Sequence, residues 1–595
     1  RVYFYGDFPA SPVEDLAISA AACNACHGPE GIDVHGGYYA AEDGGQPCLT
    51  CHGVEAPDRD TGLLELIPSL AAVAHQYHSG LRDEITYPTY MNPCSVCHAE
   101  DAQLAAVNAM GVSGAGCFSC HGSFAGLGIG EGNFHLSIGD PETADCTLCH
   151  SAGGVAVGLV SVTDFHNGSI TERDGIIWDG VDTSVAEGAK FDWRITGVTD
   201  DGTDLTITWE ASYDGLAFSP CNADPAAGPV FFADADPAAT PAFEPDNLSI
   251  LRNYAQGEDF ILGIRGDRPQ PGSTPGVSAA NTTCDGGGLV ATTVVPVEVT
   301  DDTAAEAATV GRVAIQGKPR VLNVDPTPDA GFAAEYGTTM PVRAKTPTFD
   351  WVVGVGGAVP EVDERRAVAD TSLCLSCHVG SLYQHGGNRV DNIDMCYLCH
   401  NAAANDEYVR VDTFGVDASE AYDGRAGQAF GIKEMVHAVH PAGATGNPVV
   451  IYRGRGIYGW ADDVSKLNNW PTVDDCVRSN GSPGRLVVGA DDPTLPSACQ
   501  PHIFHSPTYP RGLYDCAACH VAGVDLLPDP TKAMATTVEA GQPPFGDQLN
   551  DVLQGVQTTS CITCHADSLS KGHAYQNSWT PQVFPEGRQT IIDAN

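Results

Sequence analysis

The sequence predicts a three-part chain: two segments of short helices and loops rich in cysteine and histidine, with an all-β sandwich or barrel between them. Three observations carry this reading. Nine Cys-x-x-Cys-His motifs cluster at the two ends, five between residues 23 and 150 and four between 374 and 565. Residues 190–212 alternate apolar and polar side chains across an Asp-Asp-Gly turn, which is a hairpin signature. The two motif-rich segments also repeat the same order of parts.

The motifs are CNACH (23–27), CLTCH (48–52), CSVCH (94–98), CFSCH (117–121), CTLCH (146–150), CLSCH (374–378), CYLCH (396–400), CAACH (516–520) and CITCH (561–565). Two thiols so spaced and closed by a histidine form the attachment motif of c-type haem. The thioether residues are Cys23, Cys26, Cys48, Cys51, Cys94, Cys97, Cys117, Cys120, Cys146, Cys149, Cys374, Cys377, Cys396, Cys399, Cys516, Cys519, Cys561 and Cys564. The proximal iron ligands are His27, His52, His98, His121, His150, His378, His400, His520 and His565. Zinc knuckles and redox dithiols share the Cys-x-x-Cys spacing, but nine copies each ending in His exclude them. The fold class is therefore multihaem cytochrome c domains, short helices and loops around stacked haems, with an inserted all-β sandwich or barrel. The cofactors are nine covalent haem c.

The two clusters match part for part. CNACH and CLSCH are each followed by His-Gly-Gly, at His35 and His385, and then by a second motif. A His-x-x-His pair comes next, His75/His78 in one copy and His437/His440 in the other. "TYPTYMNPCSVCH" (86–98) then matches "TYPRGLYDCAACH" (508–520). A fourth motif precedes His135 or His573, and only the first copy continues to a fifth motif and His166. "FGIKEMVHAVH" has helical spacing, so its two histidines, three apart on one face, can serve two neighbouring haems.

Twenty histidines minus nine proximal ones leave eleven. Nine recur at repeat-matched positions or close the count, and are read as distal ligands: His35, His75, His78, His135, His166, His385, His437, His440 and His573. His502 and His505 in "CQPHIFH" have no counterpart in the first copy. Irons closed on both faces pass electrons but offer no site to a substrate, so a reductase is disfavoured and an electron carrier favoured.

The domains are drawn at 1–160 (five haems), 161–350 (β) and 351–595 (four haems). With roughly thirty residues per haem, the haems themselves form most of the core in the outer domains. In the β-domain, Phe191, Trp193 and Ile195 face Leu205, Ile207 and Trp209, followed by β-like runs at 230–235, 288–299 and 311–324. The four cysteines outside the motifs pair by proximity as Cys221–Cys284 and Cys476–Cys499. Acidic loops here would accommodate Ca2+, though no EF-hand pattern is present.

A net charge of −47 excludes nucleic acid as a partner and favours solubility and cationic partners. No run of eighteen apolar residues is present, so no transmembrane segment is expected. The opening RVYFYGDFPA reads as a mature chain whose export signal has been removed. That implies passage through the periplasm, where the haems are attached.

The order of parts resembles the surface-exposed decahaem cytochromes of the OmcA/MtrC type. The resemblance is carried by "RRAVADTSLCLSCHVGSLYQHGGNRVDNIDMCYLCHNAAAND" (365–406), "GIKEMVHAVH" (431–440), "TYPRGLYDCAACH" (508–520) and "VGRVAIQG" (310–317). It implies a wire of bis-His haems and an extracellular or outer-membrane location. It also implies partner cytochromes and acceptors such as Fe(III), Mn(IV), flavins or electrodes. The family carries ten haems and a leading β-domain, and its members are often lipid-anchored through an N-terminal Cys. This chain has nine motifs and begins with Arg1. A secreted or trimmed form, or a filament of copies sharing haem contacts, are the alternatives these differences leave, with His502 and His505 as candidate inter-subunit ligands.

Overall fold

The computed structural model describes short pieces of residues 20–97 and most of residues 187–231, 248–322, 339–470, 502–540 and 551–583. The motifs at 48–52, 117–121 and 146–150 lie outside the described residues, as do Cys94, His98, His35, His135, His166, Cys476 and Cys499.

The centre is a two-layer β-sandwich. Strands β1 (Phe191–Asp200) and β2 (Asp204–Tyr213) form the expected hairpin, and Phe191, Trp193, Ile195, Leu205, Ile207 and Trp209 all turn inward. Further strands are β3 (Leu216–Phe218), β4 (Ser249–Gln256), β5 (Asp259–Gly263), β6 (Thr282–Cys284), β7 (Val290–Pro296), β8 (Val310–Gln316) and β9 (Thr348–Val352). One sheet runs β6–β7–β2–β1, with β3 also on β2, and the other runs β9–β8–β4–β5; every pairing is antiparallel. Side chains of both sheets meet in one core, including Trp193, Trp209, Ile250, Tyr254, Ile315 and Trp351. The buried indoles keep their N–H groups bonded: Trp209 donates to Thr293 Oγ1 (3.0 Å) and Trp351 to Asp200 Oδ2 (3.0 Å). Gly311 must be glycine, because a Cβ there would sit 2.3 Å from the Trp351 ring.

The run at 288–299 gives β7, and 311–324 gives β8 plus a short strand at Arg320–Leu322. Of 230–235, Val230 forms a single bridge to Arg320, and 232–235 lie outside the described residues. Strands β4 and β5 go beyond the sequence reading: "SILRNYAQ" buries residues on both faces and so shows no alternation. Cys221 and Cys284 are joined as expected, with Cα atoms 6.1 Å apart. Closing a loop of that size contributes about 4 kcal/mol in the chain-entropy account.

The outer face of the β4–β8 sheet is a platform for the motif at 396–400. Leu251, Phe260 and Ala314 pack on Met395, Leu398 and Cys399. Asn253 donates to the Leu398 carbonyl (3.0 Å), Gln270 to the Cys399 carbonyl (3.1 Å), and Asn401 to the Phe260 carbonyl (2.9 Å). Arg312 bonds both Asp350 and Asp394.

The second motif-rich segment is less purely helical than the sequence suggests. "VVIYRGRGIYGW" forms a hairpin, Val449–Arg453 against Gly456–Trp460, and His502–His505 adds to it in parallel. Its anchor is Arg410, which is fully buried. Arg410 pairs with Asp406 (2.8 Å) and Asp423 (2.7 Å), donates to the Arg425 and Val450 carbonyls, and lies over the Tyr452 ring. Burial raises the Asp406 carboxyl to about 6 even though Arg410 pulls it down.

Removing one partner of a buried ion pair strands the others, so Arg410→Met should cost about 3–5 kcal/mol in urea denaturation. Arg194→Met, which removes an exposed pair with Glu210, should leave the midpoint in place. Equal midpoints for the two variants would contradict this account. Mass spectrometry without reduction should show Cys221 and Cys284 linked, and alkylation of either would overturn the pairing.

Candidate functional site

Each described motif of the second segment folds into the same single turn. The N–H of His378 bonds the Cys374 carbonyl (2.9 Å), His400 that of Cys396 (2.8 Å), His520 that of Cys516 (3.0 Å) and His565 that of Cys561 (3.0 Å). The turn carries both sulphurs and the histidine within five residues. Two of these turns begin at polar N-caps: Asp370 accepts from Ser372 N–H, and Asn392 from Asp394 N–H. In the first segment, CNACH ends the helix α1 (Ala20–His27). None of the eleven described motif cysteines is joined in a disulfide.

Four of the motif histidines lie opposite a histidine that the repeat marked as a distal ligand. Ring centres are 6.2 Å apart for His27 and His78, 6.2 Å for His378 and His440, 6.1 Å for His400 and His385, and 5.9 Å for His520 and His437. A metal–imidazole bond is about 2 Å, so two imidazoles on opposite sides of one metal ion have ring centres roughly 6 Å apart. The pairs therefore fit a haem iron held by two histidines, with Cys-x-x-Cys beside it for the thioethers.

The helix α2 (Ile432–Val439) and its C-cap His440 explain how one element serves two irons. His437 faces His520 and His440 faces His378, so the His-x-x-His pair joins the motifs at 374–378 and 516–520. His385 sits at a tight turn between Tyr383–Gln384 and Arg389–Val390. It has a left-handed backbone, φ 57°, and Gly387 has φ 83°. The glycine serves this turn, and a Cβ in its place would crowd Arg343 and Lys318. In the first copy, Ile32–Val34 and Gly37–Tyr39 pair around the equivalent position.

The second nitrogens are mostly held by carbonyls. His78 Nδ1 bonds the Ala74 carbonyl (2.7 Å), His400 that of Phe430 (2.8 Å), His440 that of Val436 (3.0 Å) and His520 that of Val368 (3.1 Å). An Nδ1–H donated to a carbonyl leaves Nε2 as the free ligating atom. His385 differs: Arg453 donates to its Nδ1 (3.1 Å), which leaves the proton of the neutral ring on Nε2, so ligation through Nε2 requires this bond to give way to an Nδ1–H. Burial lowers His27, His378, His400 and His437 to about 4, and His385 to about 3, chiefly by desolvating the cation. These rings are neutral, the form that binds metal.

The structure places the remaining candidates elsewhere. His502 Nε2 bonds the Tyr422 hydroxyl (3.0 Å) and packs on Trp470, while His505 stacks on Trp460. Both are partly buried against these aromatic rings. His573 is exposed. Cys564 Sγ reaches the His437 carbonyl (3.7 Å), which places the last motif against α2.

The first motifs of the two segments also meet. Cys26 Sγ lies 3.6 Å from the Ser376 carbonyl, beside Cys377. Cys97 lies near Cys23, and Cys519 near Cys374, so the third motif of each copy flanks the first. Nothing in local sequence marks the Cys26–Cys377 contact; the internal repeat is the only signal that could have suggested two like surfaces meeting.

The family model for "Outer membrane cytochrome MtrC/MtrF-like, domains II/IV" matches residues 16–167 and 366–589, the two halves of the repeat. Among solved structures, the chain is similar to MtrC from Shewanella baltica OS185, at 16% identity and TM-score 0.44, over 73% of this chain and 62% of that one. It is similar also to the outer membrane decaheme cytochrome OmcA, at 14% identity and TM-score 0.49, over 97% of this chain and 71% of that one. The chain thus spans less than two thirds of the length of that MtrC. No curated protein matches it.

The lowered pKa values set the sign of the pH response. An unfolded histidine takes up a proton below about 6.5, so the stability these five rings contribute is complete above that pH and is lost as pH falls toward 4. Urea midpoints should therefore be flat above about pH 6.5 and fall as the pH drops from 6.5 toward 4; a midpoint unchanged down to pH 4 would contradict the buried, neutral state of these rings.

Proposed function

The chain belongs to the outer membrane cytochrome MtrC/MtrF-like family, and on that premise we propose that it conducts electrons through nine haem irons, each held by two histidines, to acceptors outside the cell. Its place is the outer-membrane surface or the extracellular space. The observation that carries the reading is the set of four histidine pairs, each at the spacing of one iron. Covalently held haem supplies low-potential one-electron chemistry when both axial ligands are histidine.

The residues do the rest. The Cys-x-x-Cys turns tether, and the paired rings close both axial faces. Such closure leaves no coordination site for a substrate, so this is a carrier and not a substrate-specific enzyme. The repeat extends the pairing to the first segment. His35 serves His52 as His385 serves His400, and His75 serves His98 as His437 serves His520. His135, His573 and His166 serve His121, His565 and His150 by their place in the repeat. The domains follow as 1–160, 161–350 and 351–595, with the Cys26–Cys377 contact joining the outer two. Fe(III), Mn(IV), flavins and partner cytochromes are the acceptors that a low-potential, strongly acidic carrier suits.

Mass spectrometry should find nine haems per chain, and CO should leave the reduced spectrum unaltered. Stoichiometric CO binding would overturn the bis-His reading. His385→Met should raise the potential of a single haem while haem content stays at nine. An unchanged titration would reduce His385 to a packed side chain.

A further inference from the structure

The residues that meet at the seam between the two motif-rich segments are 350 positions apart in the chain. Three consecutive residues of the second segment lie along that seam. The Tyr509 ring packs edge-on against His440, with ring centres 5.8 Å apart. The Pro510 carbonyl accepts a hydrogen bond from His27. Arg511 donates from Nε to the Cys26 carbonyl (3.0 Å) and from Nη2 to the Ala25 carbonyl (2.6 Å). Its Nη1 is held by Asp515 (3.0 Å), and the side chain is only 15% exposed.

The two carbonyls are near the C-terminal end of α1, where unpaired acceptors and the negative end of the helix dipole favour a cation. A planar guanidinium can reach two carbonyls and a carboxylate at once, and an ammonium cannot hold that geometry. The first copy differs in sequence here: where "TYPR" stands at 508–511, it has "TYPT", with Thr89 in place of the arginine.

We propose that Arg511 is the positioning residue that locks the two segments together, holding the first motif of each close enough for an electron to cross between them. The proposal rests on the reading that haems occupy these motifs. One electron crosses from one side of the seam to the other, with no bond made or broken and no proton moved.

The test uses the full-length haem-loaded protein and the variants Arg511→Ala, Arg511→Lys and Asp515→Asn, reduced by dithionite in a stopped flow. Wild type should reduce as a single pool. Arg511→Ala should retain nine haems but split into two phases with amplitudes in the ratio five to four, the motif counts of the two segments. Its potentials nearest the seam should also fall, because a cation has been removed. Arg511→Lys should keep the potentials and still split, since the charge is retained and the fork lost. Asp515→Asn, which frees the guanidinium without altering a motif, should split partially, and it carries the test if Arg511→Ala fails to fold. A single phase in Arg511→Ala, a wild-type trace in Arg511→Lys, or an unsplit Asp515→Asn would overturn the clamp. Fewer than nine haems, or split kinetics in wild type, would instead mark failure of the underlying haem-wire reading.

Discussion

Four pairs of imidazoles face each other with ring centres about 6 Å apart, the spacing two rings need to reach one metal ion from opposite sides while their own chains run elsewhere. Each pair joins a tethering turn to a distant piece of backbone: a helix for His437 and His440, a tight left-handed turn for His385. With iron bound the pairs would act as cross-links, added to the apolar clusters around Val450 and Ala442 that the second segment builds for itself. Burial of the rings and their bonds to backbone carbonyls keep them neutral and oriented.

The β-sandwich contributes stiffness. Its core of tryptophans and branched side chains is formed without any cofactor, and its outer face carries the motif at 396–400 through Leu251, Phe260, Ala314 and a set of side-chain-to-carbonyl bonds. A cofactor-built segment is thus mounted on one built by ordinary hydrophobic packing. The buried Arg410 cluster plays a similar part within the second segment, where it ties the loop at 406–428 to the hairpin at 449–460. In a chain with a net charge of −47, the scarce arginines are placed where they hold elements together: Arg312, Arg410 and Arg511 each join separate parts of the fold.

Much of the site was legible in the sequence. The nine motifs identify the tethering and proximal residues, and the internal repeat picks out distal candidates that a single copy could not distinguish from ordinary histidines. The β1–β2 hairpin and the α2 helix follow from side-chain periodicity, which depends on neighbours a few residues away. Strands β4 and β5 were hidden because both faces are covered, so their residues show no alternation. Counting alone left His502 and His505 without a place in the repeat, and only the fold sets them beside Tyr422, Trp470 and Trp460.

The sequence by itself determined the chemistry of each site, since attachment and ligation are properties of a few adjacent residues. Tertiary structure alone decided which histidine faces which, and that His437 and His440 look toward different motifs. It alone brought Cys26 to Cys377 and laid Arg511 across the end of α1. The physical reason is sequence distance: these contacts join residues tens to hundreds of positions apart, and no local pattern encodes a partner that only packing brings near.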